Sequence, residues 1–174
     1  MDDAAATPPA TPAPHGTPCR AAARQDFAAL LALRLHFLGE RARLEGLPGL
    51  SAEARARCEQ RLSAWLRQED RLLRVAQDAA GRVLGYATGQ VVTRPPLWRA
   101  TRVGDIAELY LEPQARGQGL GRALVSAMHE ALRARGAEVL RAAVPVRDEA
   151  ALARLQAAGY QPWQHVLRRT LAGA

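Results

Sequence analysis

The chain has 174 residues, 48% of them apolar, and a formal net charge of +7, enough for one domain that buries about 68 to 70% of the surface its unfolded form exposes. No apolar run approaches the roughly 18 uncharged residues that span a bilayer, and residues 1–18 lack the basic start and apolar middle of a signal peptide. All 24 basic residues are arginine and scattered, with Arg41 and Arg43, then Arg55, Arg57 and Arg61, then Arg133 and Arg135 lying among acids or on polar helical faces, which speaks against a nucleic-acid stripe. The expectation is a cytoplasmic domain with no membrane and no nucleic-acid partner. Cys19 and Cys58 read as free thiols, too few and too far apart for a disulfide framework or a metal site.

Residues Met1 to Pro18 are alanine, threonine and proline with hardly a large apolar group, so they read as a disordered tail ahead of a single domain over 19–174. A short strand is expected at Cys19 to Ala22. A helix follows from Gln25, with Phe27, Leu30, Leu31, Arg34 and Leu38 at helical spacing and Arg34 the one polar intruder. Ser51 is placed to cap a second helix whose apolar face is Cys58, Leu62, Trp65 and Leu66. The period then shortens. Leu72 to Ala76, a turn at 78–81 and Val83 to Val92 make an antiparallel hairpin, and Pro95-Pro96 open a loop carrying Trp98.

Next come a strand at Ile106 to Leu111, a glycine-rich turn, and a helix over Ala123 to Arg135 on which Leu120, Leu124, Met128 and Ala131 share a face and Gly136 is the stop. A strand at Val139 to Val144 must run parallel to Ile106–Leu111, because the helical connection is too long for a hairpin. Asp148 caps a helix that ends at Gly159, and Trp163 to Leu171 supplies a last strand. The fold class is α/β, with a mixed, mostly antiparallel central sheet and helices on both faces.

The turn Arg116-Gly117-Gln118-Gly119-Leu120-Gly121 sits at the mouth of a helix, where unpaired N–H groups and the positive end of the dipole meet, so it reads as a phosphate seat. A P-loop needs a lysine after the last glycine, and the chain has none. A dinucleotide fingerprint needs G-x-G-x-x-G, whereas the third position here is Arg122. A purely structural turn is the remaining plain reading.

Arg116-x-x-Gly119-x-Gly121, with Glu108-Leu109-Tyr110-Leu111 before it and Asp148 through Ala158-Gly159-Tyr160 after it, resembles the acetyl-CoA site of the GNAT superfamily of N-acetyltransferases. Arg20-x-Ala22-x-x-x-Asp26 is similar to that family's opening strand and first helix, so the likeness runs from Arg20 to Leu171. It implies a parallel strand pair that splays apart. It also implies acetyl-CoA as co-substrate, no metal, and acetyl transfer to a primary amine of a small molecule or peptide by direct attack in a ternary complex. The backbone of Gln118 to Arg122 would then cradle the pyrophosphate, with Gly117, Gly119, Leu120 and Gly121 shaping the turn and Arg116 and Arg122 adding charge. The pantetheine arm would lie along Leu109, Tyr110 and Leu111, and a free backbone N–H near Tyr110 or Leu111 would face the oxyanion.

For a base, Glu108 is the candidate, on the face that simple alternation gives to Ile106 and Tyr110; binding the substrate's cation or an ordinary ion pair are its other readings. Glu112 is expected to face solvent. The resemblance places a capping asparagine and, seven residues on, an acid tyrosine in the last helix, and these cofactor-side positions hold Asp148 and Leu155 here. Tyr110, a water or unassisted departure must then serve the thiolate. His36, on the first helix, and Trp98, in the loop, are the substrate-pocket candidates. The same fold with its turnover lost, an acyl-CoA-binding sensor or accessory subunit, is the alternative. Assembly as a homodimer is compatible with this sequence.

Overall fold

Near-continuous apolar or small-residue runs over 71–77, 83–93 and 102–111 give strands buried on both faces, and these form the middle of a five-stranded sheet. The computed structural model describes residues 19–95 and 101–169. In chain order the strands are β1 (Cys19–Ala21), β2 (Arg71–Gln77), β3 (Val83–Thr93), β4 (Arg102–Leu111) and β5 (Val139–Ala142), and the sheet follows the same order. All neighbours are antiparallel except β4 and β5, which are parallel. The helices are α1 (Phe27–Glu45), α2 (Ala54–Trp65), α3 (Leu120–Ala134) and α4 (Glu149–Ala157).

Each face of the sheet has its own core. On one side Leu30, Leu31 and Leu33 of α1 and Cys58, Leu62 and Trp65 of α2 pack on Leu73, Val75, Tyr86 and Tyr110. On the other, Leu124, Met128, Ala131 and Leu132 of α3 pack on Leu72, Ala76, Ala87 and Ile106. Full burial of such a side chain is worth about 1.5–3 kcal/mol as an upper estimate, so these clusters hold both layers on the sheet.

Several expectations are corrected. Ser51 does not cap α2 with its side chain: its carbonyl accepts from Ala54 N in a preceding turn, and the helix starts after Glu53 without a side-chain cap. α3 begins at Leu120, earlier than Ala123, because Gly119 at φ +82° closes the turn directly into the helix. Residues 163–169 form no strand. β5 spans only Val139–Ala142 and leaves little ladder to extend, and Arg94 stacking on Trp163 at 4.5 Å and Arg168 donating to the Glu45 carbonyl hold the segment on the surface. Asp148 does cap α4, its Oδ1 accepting from Ala151 N at 3.0 Å.

Two irregularities of β4 matter for the site. The β3 register runs Thr88 opposite Glu108 and then Gly89 opposite Ile106, so Ala107 is an extra, bulged residue. Ile106 therefore faces α3 while Glu108 and Tyr110 face α1, and the shared face expected from simple alternation does not exist. The β5 pairing stops at Ile106 opposite Ala142, two residues short of the predicted strand end. From Ala107 to Leu111 the outer edge of β4 has no strand partner among the described residues.

Candidate functional site

Past Leu111 the chain makes a short 3-10 turn over Pro113–Ala115 and enters the glycine run. Gly117 and Gly119 have φ of +83° and +82°, a left-handed backbone that costs an L side chain roughly 1–2 kcal/mol. Gly121 is different. Its φ is ordinary, and a Cβ built there meets nothing within 4 Å. Internal packing therefore does not call for glycine at 121, although glycine in a helix costs roughly 0.5–1 kcal/mol relative to alanine. What it leaves is bare backbone at the head of α3, which has no side-chain cap, so the first-turn N–H groups face outward. The exposed Arg122 stands on that turn, and the unpaired edge of β4 leads to it.

Arg116, expected to add charge at that seat, is engaged by protein groups in this structure. Its Nε donates to the Leu111 carbonyl at 3.0 Å and its Nη2 to the Glu40 carboxylate at 3.0 and 3.1 Å, with the guanidinium 5.6 Å over the Tyr110 ring. It ties the turn to α1. Tyr110 donates to the same Glu40 at 3.3 Å, and burial first, then the Glu40 charge, pushes its phenol above its ordinary value. The hydroxyl stays protonated, but it is committed to Glu40.

On the α1 face, Glu108 and Arg34 form a buried ion pair with side chains 12% and 8% exposed. Arg34 Nε lies 3.3 and 3.1 Å from the two carboxylate oxygens and Nη2 lies 3.0 Å from Oε1, while Tyr86 donates to Oε2 at 2.8 Å. These contacts engage about four lone-pair directions, the carboxylate's full set. Burial works against the Arg34 charge, and the hydrogen bond and field of Glu108 more than offset it, so Arg34 sits above its ordinary value. Burial likewise drives the Tyr86 phenol upward, reinforced by Glu108. Glu108 thus stands as half of a buried pair at the bulge.

Beside this pair a cleft of about 410 Å³ runs between α1, α2 and the sheet, reaching Ala107 and Glu108 at one end and Arg61, Trp65 and Arg71 at the other. His36 is exposed and not among the residues that line it, unlike its neighbours Arg34 and Phe37, because it falls on the outer side of α1. Trp98 lies outside the described residues. Leu155 is half-buried on α4 and brings no hydroxyl. Glu112 is partly covered, accepting from Gln114 at 2.6 Å, instead of standing free. Sequence reasoning missed Glu40, Arg61, Arg71 and the polar role of Trp65. The one available signal was Arg34, a charge on an otherwise apolar helix face, which must find a partner once buried.

Comparison with known proteins supplies the kinship. A sequence profile of the Acetyltransferase (GNAT) family matches residues 40–160. Over 101 residues the chain is 38% identical to glucosamine 6-phosphate N-acetyltransferase 1 of Oryza sativa subsp. japonica, a match that spans 58% of this chain and 59% of that protein. The fold is that of a mutant of the BH1408 protein from Bacillus halodurans, with a TM-score of 0.78 at 20% identity over 88% of this chain and 98% of the other. Aminoglycoside N-acetyltransferase AAC(6')-Iy, solved in complex with CoA, has a TM-score of 0.72 at 15% identity over 90% and 95% of the two chains. With a family profile covering most of its length, the bulged and half-unpaired β4 and the bare glycine turn belong to a member of the acetyltransferase (GNAT) family.

Proposed function

We propose that residues 19–174 form one acetyl-CoA-dependent N-acetyltransferase domain that transfers the acetyl group to a primary amine in a ternary complex. The observation that carries this is Gly121: a bare backbone position at the head of α3, beside a strand edge with no partner, suits a pyrophosphate and a pantetheine arm better than any internal packing role. First-turn N–H groups of Leu120, Gly121 and Arg122 and the Arg122 guanidinium would hold the phosphates, each contact worth about 0.3–1 kcal/mol and more where partly buried. Leu109, Tyr110 and Leu111 would pair with the arm through backbone groups, as an added strand does. Asp148 and Leu155 of α4 would flank it.

Bound acetyl-CoA supplies a thioester: the amine nitrogen bonds to its carbonyl carbon, the carbon–sulfur bond breaks, and one proton passes from nitrogen to the departing thiolate. Glu108 is the carboxylate lining the cleft, and we assign it the amine proton, taken directly or through a water. Because Arg34 and Tyr86 fill its lone pairs, one of those contacts must yield first. Tyr110 is our choice to protonate the thiolate, its hydroxyl first leaving the Glu40 carboxylate to which it donates and regaining its proton from solvent. A backbone N–H near Tyr110 or Leu111 would face the oxyanion.

Calorimetric titration with coenzyme A, followed by thiol release from acetyl-CoA across a panel of amines, tests this reading. No coenzyme binding refutes it. Tight binding without turnover on any amine supports the second reading, an acyl-CoA sensor, which the engaged Glu108 and the hydroxyl-free Leu155 favour.

A further inference from the structure

The cleft beside Glu108 carries a charge imbalance that the transfer reaction does not use. Three guanidinium groups converge on the indole of Trp65, with Arg34 at 4.6 Å, Arg71 at 5.1 Å and Arg61 at 5.7 Å from the ring centroid. Arg34 is neutralised by Glu108, and Arg41, further along the wall, is paired with Glu45. Arg61 and Arg71 have no carboxylate partner within ion-pair distance among the described residues, and Arg71 Nε is buried with no hydrogen-bond acceptor among them. An orphaned buried N–H on a cation is expensive to keep. Burial, and then the like charge of Arg61, depress the Arg71 guanidinium against the smaller opposing fields of Asp70, Glu108 and Asp105.

Both openings next to α2, the cleft of about 410 Å³ and a neighbouring one of about 510 Å³, are lined by Arg61, Trp65 and Arg71. The first also reaches Ala107 and Glu108. The lining is therefore polarised, with a carboxylate at the β4 end and two unpaired guanidinium groups at the α2 end.

We propose that the acceptor amine carries an anionic group, a phosphate or a carboxylate, held by Arg61 and Arg71 against Trp65 while its amine points to Glu108. The inference rests on the acetyltransferase reading and adds the class of its substrate. A planar guanidinium pairs with either oxyanion in bidentate fashion, and Arg71 Nε gains the acceptor it lacks. A polycationic acceptor, by contrast, would meet two unpaired arginines.

The test uses matched amines on the full chain: glucosamine 6-phosphate against glucosamine, 2-aminoethyl phosphate against ethanolamine, and 4-aminobutyrate against butylamine. Each is titrated by calorimetry with and without coenzyme A and assayed for thiol release from acetyl-CoA. The anionic member of at least one pair should be preferred about 10-fold or more, the scale of a charge-assisted hydrogen bond. Preference in the phosphate pairs alone, or in the carboxylate pair, identifies which anion is meant.

Arg61→Gln and Arg71→Gln should each erase most of that preference through the amine's KM or Kd and leave coenzyme affinity unchanged. Arg55→Gln, on the exposed side of α2 and paired with Glu59, should change nothing. Equal or better binding of the neutral amines by the unsubstituted protein overturns the inference, as does a preference that survives both substitutions. A chain that binds no coenzyme refutes the acetyltransferase reading, whereas one that binds coenzyme but shows no anion preference refutes this inference alone.

Discussion

Replacing Glu108 by glutamine keeps the shape at the β4 bulge and removes the charge that Arg34 is buried against. The Arg34 side chain is 8% exposed, so its guanidinium has little water at hand to replace the lost carboxylate charge. Breaking such a pair from one side costs about 3–5 kcal/mol, set against a total stability of about 5–15 kcal/mol for a domain. With a urea slope of about 1–3 kcal/mol/M, Glu108→Gln should lower the unfolding midpoint by about 2 M. Arg34→Met combined with Glu108→Leu removes both charges and should recover most of that loss. Tyr86→Phe, which deletes one hydrogen bond to a charged acceptor, should cost about 1.5–3 kcal/mol. Urea unfolding followed by circular dichroism reads all of these, and a loss below about 1 kcal/mol in Glu108→Gln would refute the buried-pair argument. Thiol release separates structure from chemistry. If Glu108 receives the amine proton, the double variant should be about 100-fold slower even with its stability restored, and turnover at the parent rate removes that role.

Three further outcomes are expected. Gly121→Ala should raise stability by up to about 1 kcal/mol through helix propensity while weakening coenzyme A binding in calorimetry; unchanged affinity would show that the bare backbone serves no ligand. The hydrogen bond from Arg20, opposed by burial and helped by Ala23 N and the Arg20 charge, lowers Asp26 below the usual carboxylate range. Its stabilisation is present in full above the unfolded value of about 3.9 and is lost as pH falls through the lower folded value. Asp26→Asn should therefore be less stable than the parent at pH 6, with the gap closing in acid, and a pH-independent gap contradicts this. Burial lowers His129, which shares a 2.7 Å hydrogen bond with the Tyr160 hydroxyl, itself pushed up to about 12 by burial. The neutral imidazole's contribution is intact above its unfolded value of about 6.5 and fades as pH drops toward the folded one. His129→Gln should lack that part of the stability profile.

Much of the fold was legible in nearest-neighbour chemistry. The 3.6-residue period of Leu120, Leu124, Met128 and Ala131 set the buried face of α3, and Asp148 sat where α4 needed an acceptor. The chain order alone required β4 and β5 to be parallel. The glycine turn, the absence of lysine and the spacing that fails a dinucleotide fingerprint are likewise properties of consecutive residues.

What escaped depends on residues far apart in the chain. The expected last strand lacked ladder to join, which its own alternation could not reveal. The bulge at Ala107 exists only in the register of β3 against β4, and it alone turned Glu108 toward α1 and away from Ile106's side. Arg34 looked like an intruder on an apolar face until folding brought Glu108, 74 positions away, within 3.0 Å. Arg61 looked like solvated surface until α2 and β2 brought it and Arg71 to one indole. Local propensity and periodicity decide which elements form, so the sequence by itself determined the order of strands and helices through α4 and the glycine turn that opens α3. Which charges meet, and which are left without partners, is decided by how the layers pack, and that packing is where the cleft between α1, α2 and the sheet acquires its polarity.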